Sequence, residues 1–157
     1  MLEPGDDAPA VTASNQHGEP VSPDYEGVTV CYFYPEDETP GCTVEAQQFT
    51  AEAEAYADAG VTVYGISTDD VDAHADFAEK EGITFDLLAD PGGTVCEAFG
   101  VPRITGRAKR TTFVVVDGTV ERVYEGVNPD GHARDLLLDL LDDELVELSG
   151  AAGRDAG

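Results

Sequence analysis

Residues 28–43, VTVCYFYPEDETPGCT, decide the fold. Residues 28–34 are almost all β-branched, aromatic or otherwise apolar, which predicts a central strand buried on both faces. Pro35 ends this strand because it offers no backbone N–H. Thr39 is a favourable N-cap and Pro40 a favourable first helical residue, so the segment predicts a strand, a short loop and the start of a helix.

Helices and strands alternate after this segment. Apolar residues recur at steps of four and three between residues 42 and 56, which predicts the buried face of one helix that ends at Gly60. The patterns that follow predict a strand over 61–68, a helix capped by Asp69 or Asp70 and ending near Gly82, and a strand over 84–88. A turn over 90–93, a short helix over 94–99 and a hairpin of strands 111–116 and 119–124 around Asp117-Gly118 come next. The last predicted helix begins at Asn128-Pro129 and buries Ala133, Leu137, Leu140, Leu141 and Leu145.

The order of these elements predicts the fold class. Early alternation of strands and helices favours parallel pairing with right-handed crossovers, and the late hairpin adds antiparallel strands to the same sheet. We therefore expect a thioredoxin-like α/β sandwich, with a central mixed sheet flanked by helices. Residues 1–27 would form an N-terminal hairpin or extended arm. Residues 1–148 would make one domain, and residues 149–157 a flexible tail.

The charge of the chain is extreme. Its 157 residues include 33 Asp and Glu against 8 Lys and Arg, which gives a formal net charge of −25. A nucleic-acid backbone would be repelled, so nucleic acid is not expected as a partner. Because the acidic residues are spread along the whole chain, they indicate a surface adapted to high salt and a halophilic archaeal source. The alternative is an acidic face for a basic partner.

The distribution of apolar residues bears on the cellular location and the oligomeric state. No run of about 18 consecutive apolar residues occurs, and the first ten residues have neither a basic end nor an apolar stretch. We therefore expect no membrane span and no signal peptide, and a cytoplasmic location. No long apolar surface stretch demands an interface, so a monomer is expected rather than a dimer.

Cys42 is the candidate nucleophile. It falls in the first turn of the predicted helix, where backbone N–H groups lack helical acceptors and the helix dipole is positive, and both features favour a thiolate. Gly41 allows the backbone to come close to whatever approaches the sulfur. The alternative is that Cys42 is a small buried hydrophobe that begins a helix face.

Other cofactor signals are absent from the sequence. The three cysteines form no CxxC pair, and no Cys/His cluster has zinc spacing. The Asp residues at 69, 70 and 72 lack the pattern of a calcium loop, and Gly92-Gly93 is a turn rather than a phosphate-binding loop. No metal, flavin or nucleotide is expected. All three histidines, His17, His74 and His132, are expected on the solvated surface.

The loop before Cys42 resembles the active-site loop of peroxiredoxins, in which a Pro is followed by three residues, a Thr, two residues and a Cys. The form TPGCT, followed by Glu45, is similar to the bacterioferritin-comigratory or PrxQ-type branch of that family. The resemblance spans roughly residues 5–146. It continues in Gly5-Asp6-Asp7-Ala8-Pro9, Ser67-Thr68-Asp69, Leu87-Leu88-Ala89-Asp90-Pro91, Phe99-Gly100-Val101 and Arg110-Thr111-Thr112-Phe113.

The resemblance implies a thiol-dependent peroxidase that reduces hydrogen peroxide and alkyl hydroperoxides through a cysteine sulfenic acid, in antioxidant defence. Cys42 would be the peroxidatic thiolate, Thr39 would hydrogen-bond the sulfur and the peroxide, and Pro35 would shield the sulfur from water. Arg110 would favour the thiolate and hold the peroxide oxygens. The alternative for Arg110 is an exposed charge at the start of an apolar strand.

The sequence departs from the family pattern at the thiol that resolves the sulfenic acid. Many members of the branch carry a resolving cysteine five positions after the first, where this chain has Gln47; another family position corresponds to Ala78. Cys31 lies inside the apolar strand and is expected to be core filler. Cys96, in a short helix after a turn, is the one internal candidate. A one-cysteine enzyme reduced by an external thiol is favoured slightly.

Two other functions are alternatives to a peroxidase. A thiol–disulfide oxidoreductase would need CxxC, but Glu45 stands at the third position after Cys42. A non-catalytic redox sensor or partner-binding module would use Cys42 as a switch. For the leading function the expected partners are a hydroperoxide substrate and a thioredoxin-like or small-thiol reductant.

Overall fold

A five-stranded mixed sheet forms the centre of the computed structural model, which describes residues 1–37, 39–126 and 128–142. The strands are β1 (Ala13–Ser14), β2 (Pro20–Val21), β3 (Val28–Phe33), β4 (Val61–Ser67), β5 (Asp86–Ala89), β6 (Arg103–Ile104), β7 (Arg107–Ala108), β8 (Thr111–Val116) and β9 (Thr119–Glu125). The helices are α1 (Pro40–Ala51), α2 (Ala53–Asp58), α3 (Val71–Glu81), α4 (Thr94–Phe99) and α5 (His132–Asp142).

The central position of β3 is confirmed. The strand order in the sheet is β5-β4-β3-β8-β9. All six residues of β3 are buried, and the strand pairs in parallel with β4 and antiparallel with β8. A strand with neighbours on both sides and helices on both faces can bury every side chain, which is why its sequence is a continuous apolar run.

Alternation along β3 divides the interior into two cores. Tyr32 points to the face covered by α1, where its ring stacks on Phe49 with 4.5 Å between centroids. Cys31 and Phe33 point to the opposite face, where Phe33 meets Phe99 of α4 at 5.2 Å. We call these faces the first core, containing Tyr32 and Phe49, and the second core, containing Cys31, Phe33 and Phe99. Period-two alternation thus decides which side chains can meet.

The helix predicted from residue 42 to Gly60 is interrupted, so the prediction of a single helix is wrong in its continuity. Glu52, with φ −94° and ψ 5°, separates α1 from α2. The Tyr56 hydroxyl on α2 donates to the backbone carbonyl of Ala133 on α5 at 2.5 Å. This bond joins the carboxyl end of the broken helix to α5, on the same face of the sheet as α1.

Most of the other predicted elements are confirmed, but two begin later than predicted and one hairpin is additional. The Asp70 side chain caps α3 by accepting from the Ala73 amide at 2.8 Å, and α3 ends at Gly82 in the left-handed region, with φ 66°. Strands β1 and β2 form an N-terminal hairpin. However, β5 begins at Asp86, α5 begins at His132, and the β6–β7 hairpin was not predicted.

The surface location expected for two histidines is wrong. His74 and His132 are buried, whereas His17 is exposed as predicted. Hydrogen-bond partners from distant parts of the chain allow both rings to be buried. Leu145, the end of the predicted domain and the expected tail lie outside the described residues. Within the described ranges, no helix has the length and apolar character needed to span a membrane.

Candidate active site

Cys42 lies in the first turn of α1 with its side chain turned into the first core, where it is 1% exposed. Thr39 is the N-cap residue, with extended backbone angles of φ −79° and ψ 153°, and Pro40 is the first helical residue, as predicted. The Thr39 hydroxyl does not cap the helix; it donates to the carbonyl of Glu36 at 3.0 Å. The sulfur therefore lies at the positive end of α1, under a loop held by its own hydrogen bond.

Arg110 contacts Cys42, the residue beside which the family resemblance would place it. One guanidinium nitrogen, Nη2, donates to the Cys42 Sγ at 3.3 Å. Arg110 directly precedes β8 and is two and four residues from Thr112 and Val114, so alternation places all three on the face of the first core. The exposed strand-edge charge is therefore not what the structure shows, because the side chain is only 16% exposed.

Gly41 makes room for this contact. A Cβ at position 41 would lie 3.3 Å from Arg110 Nη2 and 3.4 Å from Pro129 Cγ, tighter than most carbon contacts. The absence of a side chain at Gly41 lets the guanidinium and the loop before α5 approach the first turn of α1.

Glu45 is the second acid at the guanidinium. It follows Cys42 by three residues, one helical turn, and its Oε1 accepts a hydrogen bond from Arg110 Nη1. Burial raises the pKa of Glu45 to about 7, against the lowering effect of Arg110. Burial also lowers the pKa of Arg110, but the Glu45 carboxylate and the Cys42 sulfur outweigh it and the net direction is upward. One cation thus serves two acids.

Two buried oxygens at this site lack a hydrogen-bond partner among the described residues. They are Glu45 Oε2 and the Tyr32 hydroxyl. Burial, with further contributions from Glu45 and Cys42, raises the pKa of Tyr32, so its hydroxyl stays neutral. A buried polar atom left without a partner is costly, and such atoms cluster where a protein binds or reacts.

Pro35 follows β3 by two residues and is half-buried, at the start of the loop that leads to Thr39. Pro35, Thr39, Cys42 and Arg110 are therefore placed by three neighbouring elements: the end of β3, the start of α1 and the start of β8. The structure shows a direct contact for Arg110 and Cys42.

The other two cysteines lie across the sheet from Cys42. Cys31 and Cys96 both belong to the second core and are buried. Burial raises the pKa of each thiol to about 12, and a hydrogen bond to Asp90 contributes at Cys96. The Asp90 carboxylate also accepts from the amides of Val95 and Cys96 at 2.9 Å and so fixes the start of α4.

A buried polar cluster lies beside the active-site loop. His74 Nδ1 is 2.6 Å from Asp37 Oδ2, and the Asp37 amide donates to Asp69 Oδ2 at 2.8 Å. Asp37, Asp69 and His74 are the three groups in the described residues whose ligand atoms are close enough to hold a metal ion, within 4.8 Å of one another. Because they already bond to one another, the cluster is explained without a metal.

His132 lies beside the first core and stays neutral. Burial lowers its pKa to about 4, and its Nε2 is 3.0 Å from the Thr112 hydroxyl. The ring packs edge-on against Phe49 and against Tyr124 of β9. Its position explains why α5 begins with a polar residue that is nevertheless buried.

Sequence reasoning missed the roles of Glu45, Asp37 and His74. The spacing of three between Cys42 and Glu45 carried a usable signal, because it places both side chains on one helix face. The Asp37–His74 pair had no local signal, since its members are 37 residues apart and each is polar.

The chain is similar to known proteins over most of its length. A model of the AhpC/TSA family matches residues 4–123. The chain is 39% identical over 150 residues to peroxiredoxin Bcp of Escherichia coli (strain K12), covering 89% of this chain and 96% of that protein. The structure of peroxidoxin BcpB from Mycobacterium tuberculosis is similar with a TM-score of 0.84 and 36% identity, over 90% of this chain and 98% of the other.

A further similar structure belongs to a protein whose activity is described. It is the bacterioferritin comigratory protein of Xanthomonas campestris, described for its alkyl peroxide reduction activity. The TM-score is 0.79 at 30% identity, covering 85% of this chain and 91% of that protein. These similarities confirm the predicted thioredoxin-like α/β fold with a central mixed sheet flanked by helices.

Glu45→Gln tests the state of the buried carboxyl. The pKa of Glu45 is about 7 in the folded protein against an ordinary value of 4.5, so the folded state binds more protons than the unfolded state between these values. The free energy of unfolding should therefore fall as pH rises through this window. Glu45→Gln should lose that part of the fall, because an amide does not titrate.

Denaturant unfolding of both proteins from pH 4.5 to pH 8, at one salt concentration, measures the difference. The many surface carboxylates are common to both proteins and cancel in the comparison. Parallel stability curves across this range would show that Glu45 titrates as an ordinary carboxyl.

Proposed function

Since the chain belongs to the AhpC/TSA family and to its Bcp and Q type of peroxiredoxin, we propose that Cys42 is the thiol that reacts with the peroxide. The protein is a thiol-dependent peroxidase that uses a hydroperoxide as substrate and a thiol as reductant. The observation that carries the assignment of Cys42 is its contact with Arg110, 3.3 Å from Nη2 to the buried sulfur.

The reaction follows from the groups in place. The Cys42 thiolate attacks one peroxide oxygen, an S–O bond forms and the O–O bond breaks. Cys42 becomes a sulfenic acid, and the departing hydroxide or alkoxide takes a proton to become water or an alcohol. The Arg110 guanidinium stabilises negative charge first on the sulfur and then on the oxygens, in a site that excludes water.

Thr39 and Pro35 complete the proposed site. The Thr39 hydroxyl gives its proton to Glu36, so its oxygen keeps lone pairs that can accept from the O–H of a hydroperoxide. Pro35 brings no N–H to the loop above the sulfur and shields it from water. Both roles are supported by the position of the residues on the loop between β3 and α1.

We also propose that an external thiol, rather than Cys96, resolves the sulfenic acid. Cys96 is buried in the second core and Cys42 in the first, so the sheet lies between them. A thiol with a pKa of about 12 supplies almost no thiolate near neutral pH. An external thiol would form a mixed disulfide with Cys42 and release water, and a second thiol would then restore Cys42.

Cys42→Ser and Arg110→Ala test the peroxide step. Cys42→Ser should abolish turnover of hydrogen peroxide, because no other described thiol has a cation within hydrogen-bond reach. Arg110→Ala should lower the single-turnover rate about 100-fold, the usual effect of removing one donor to a developing negative charge. Both should retain native circular dichroism.

Arg134→Ala is the matched control, because Arg134 is 73% exposed and pairs with Glu52 on the surface. It should react at the wild-type rate. Peroxide turnover in Cys42→Ser, or a wild-type rate no faster than that of free cysteine, would exclude Cys42 as a peroxidase nucleophile and favour a slow redox sensor.

Mass spectrometry of the protein treated with one equivalent of hydrogen peroxide tests the resolving thiol. We expect Cys42 sulfenic acid without added thiol, a mixed disulfide with added thiol, and Cys31 and Cys96 still reduced. Cys96→Ser should recycle at the wild-type rate with the same thiol. A Cys42–Cys96 disulfide that forms within the turnover time would establish an internal resolver instead.

The acidity of the chain supports a further proposal, that the protein comes from a halophilic archaeon. If every Lys and Arg paired with one carboxylate, 25 carboxylates would remain, in keeping with the net charge of −25. Their mutual repulsion disfavours the folded state at low salt and is screened over about 3 Å at molar salt. We also propose that the protein is cytoplasmic and monomeric. The monomer is supported by the small number of exposed large apolar residues in the described chain, which are Met1, Ile104 and Leu138.

Thermal unfolding in increasing KCl tests the adaptation to salt. The melting temperature should rise by about 5–10 °C or more between 0.1 M and 2 M KCl, as expected if screening contributes a few kcal/mol to a domain of this size. Peroxiredoxin Bcp of Escherichia coli, measured in parallel, controls for salt effects common to the fold. A rise no larger than that of this relative would argue for a dedicated basic partner instead.

A further inference from the structure

The active-site loop is anchored by a buried hydrogen bond between His74 and Asp37 that the peroxide chemistry does not use. The side chain of His74 is 0% exposed and that of Asp37 4%, and their Nδ1–Oδ2 distance is 2.6 Å. His74 Nε2 is 3.1 Å from the carbonyl of Leu88, which can only accept. Both ring nitrogens therefore have a hydrogen-bond partner, the Leu88 carbonyl of β5 on one side and the Asp37 carboxylate on the other.

Asp37 connects this histidine to the loop that carries Thr39. Its Oδ1 accepts from the Tyr34 hydroxyl at 2.6 Å, and its amide donates to Asp69 Oδ2 at 2.8 Å. Residue 37 is thus held by three bonds, two through its carboxylate and one through its backbone. The preceding residue, Glu36, provides the carbonyl that accepts from Thr39.

The chain of contacts leads from α3 to the reacting groups. His74 on α3 fixes Asp37, Asp37 fixes the peptide of Glu36, and the Glu36 carbonyl orients the Thr39 hydroxyl. Thr39 is the N-cap of the helix whose first turn contains Cys42. A buried polar pair is seldom worth more for stability than apolar side chains of the same size, so the His74–Asp37 pair is better explained by a role in fixing the geometry of the loop.

We propose that His74 is a positioning residue for peroxide reduction, acting through Asp37 to hold the loop between β3 and α1. The proposal rests on the function proposed above for Cys42. His74 touches neither the sulfur nor the peroxide, and its effect is on where Thr39 and Pro35 stand when the peroxide arrives. Misplacing such groups by a fraction of an ångström slows the reaction without removing any reacting atom.

Two substitutions of His74 separate its two contacts. The amide nitrogen of Asn is two bonds from Cβ, like Nδ1, and that of Gln is three bonds from Cβ, like Nε2. His74→Asn therefore keeps a donor toward Asp37 and loses the bond to Leu88. His74→Gln keeps the bond to Leu88 and loses Asp37.

The readouts are two rates at Cys42 and the melting temperature. Because the chain has no Trp, oxidation by hydrogen peroxide is followed by rapid quenching and mass spectrometry. His74→Gln should slow this oxidation about ten-fold or more, while His74→Asn stays within about three-fold of wild type. Alkylation of Cys42 by iodoacetamide at high pH, which needs the sulfur but not a positioned peroxide, should stay within about two-fold in both.

Phe77→Leu is the control for packing, because Phe77 is fully buried on the same helix, packs against Tyr34 and has no polar atom that could bond to Asp37. It should lower the melting temperature and leave peroxide oxidation unchanged. Equal oxidation rates in wild type, His74→Gln and His74→Asn would overturn the positioning role. Equal slowing of both His74 variants would also overturn it, since the effect would not pass through Asp37.

If His74→Gln does not fold, Asp37→Ala and Asp37→Asn form the second pair. Asn at position 37 can accept from Tyr34 and donate to a neutral His74, so it should retain the oxidation rate that Asp37→Ala loses. Equal rates in the two Asp37 variants would overturn the proposal. A wild-type protein that reacts no faster than free cysteine would instead refute the proposed function, whatever the variants do.

Discussion

The constraint on which the site depends is the placement of one buried guanidinium between two acidic groups. Arg110 precedes β8, whereas Cys42 and Glu45 occupy the first two turns of α1, and the contact requires both elements to lie on the first core. Burying these ionisable groups is costly unless each keeps a partner. The loop at the start of α1, the glycine at position 41 and the alternation of β8 can all be understood as conditions for this contact.

Sharing one cation between two acids also sets the charge of the site. With a pKa of about 7, Glu45 carries a proton in part of the molecules near neutral pH, and the guanidinium is then available to the sulfur. In the proposed reaction Cys42 becomes a sulfenic acid, which leaves Glu45 as the remaining acid at Arg110. Under the proposed mechanism, the ionisation of Glu45 and the oxidation of Cys42 are linked through Arg110, because each changes the charge that the other group faces.

The sequence predicted the parts of the molecule that depend on local patterns. The continuous apolar run over 28–34 predicted the central strand, and Thr39-Pro40 predicted the start of α1. Arg110 directly precedes the apolar strand β8, whose alternation determines which face each side chain occupies. Predictions failed where a distant partner decides the outcome. His74 and His132 were assigned to the surface because each lies in a polar stretch, yet each is buried by bonds to residues that no local period reveals. The interruption between α1 and α2 at Glu52 could not be predicted either, because no proline or glycine occurs there.

The net charge acts on the two halves of the catalytic cycle in different ways. Hydrogen peroxide is uncharged, so a surface of −25 neither attracts nor repels it, and the first half depends on the geometry around Cys42. The reductant attacks as a thiolate, and at low ionic strength its charge is opposed by the whole acidic surface. At molar salt the screening length is about 3 Å, so only charges near the sulfur still act on it. If an external thiol resolves Cys42, as proposed, salt should speed the recycling of Cys42 more than its oxidation by peroxide.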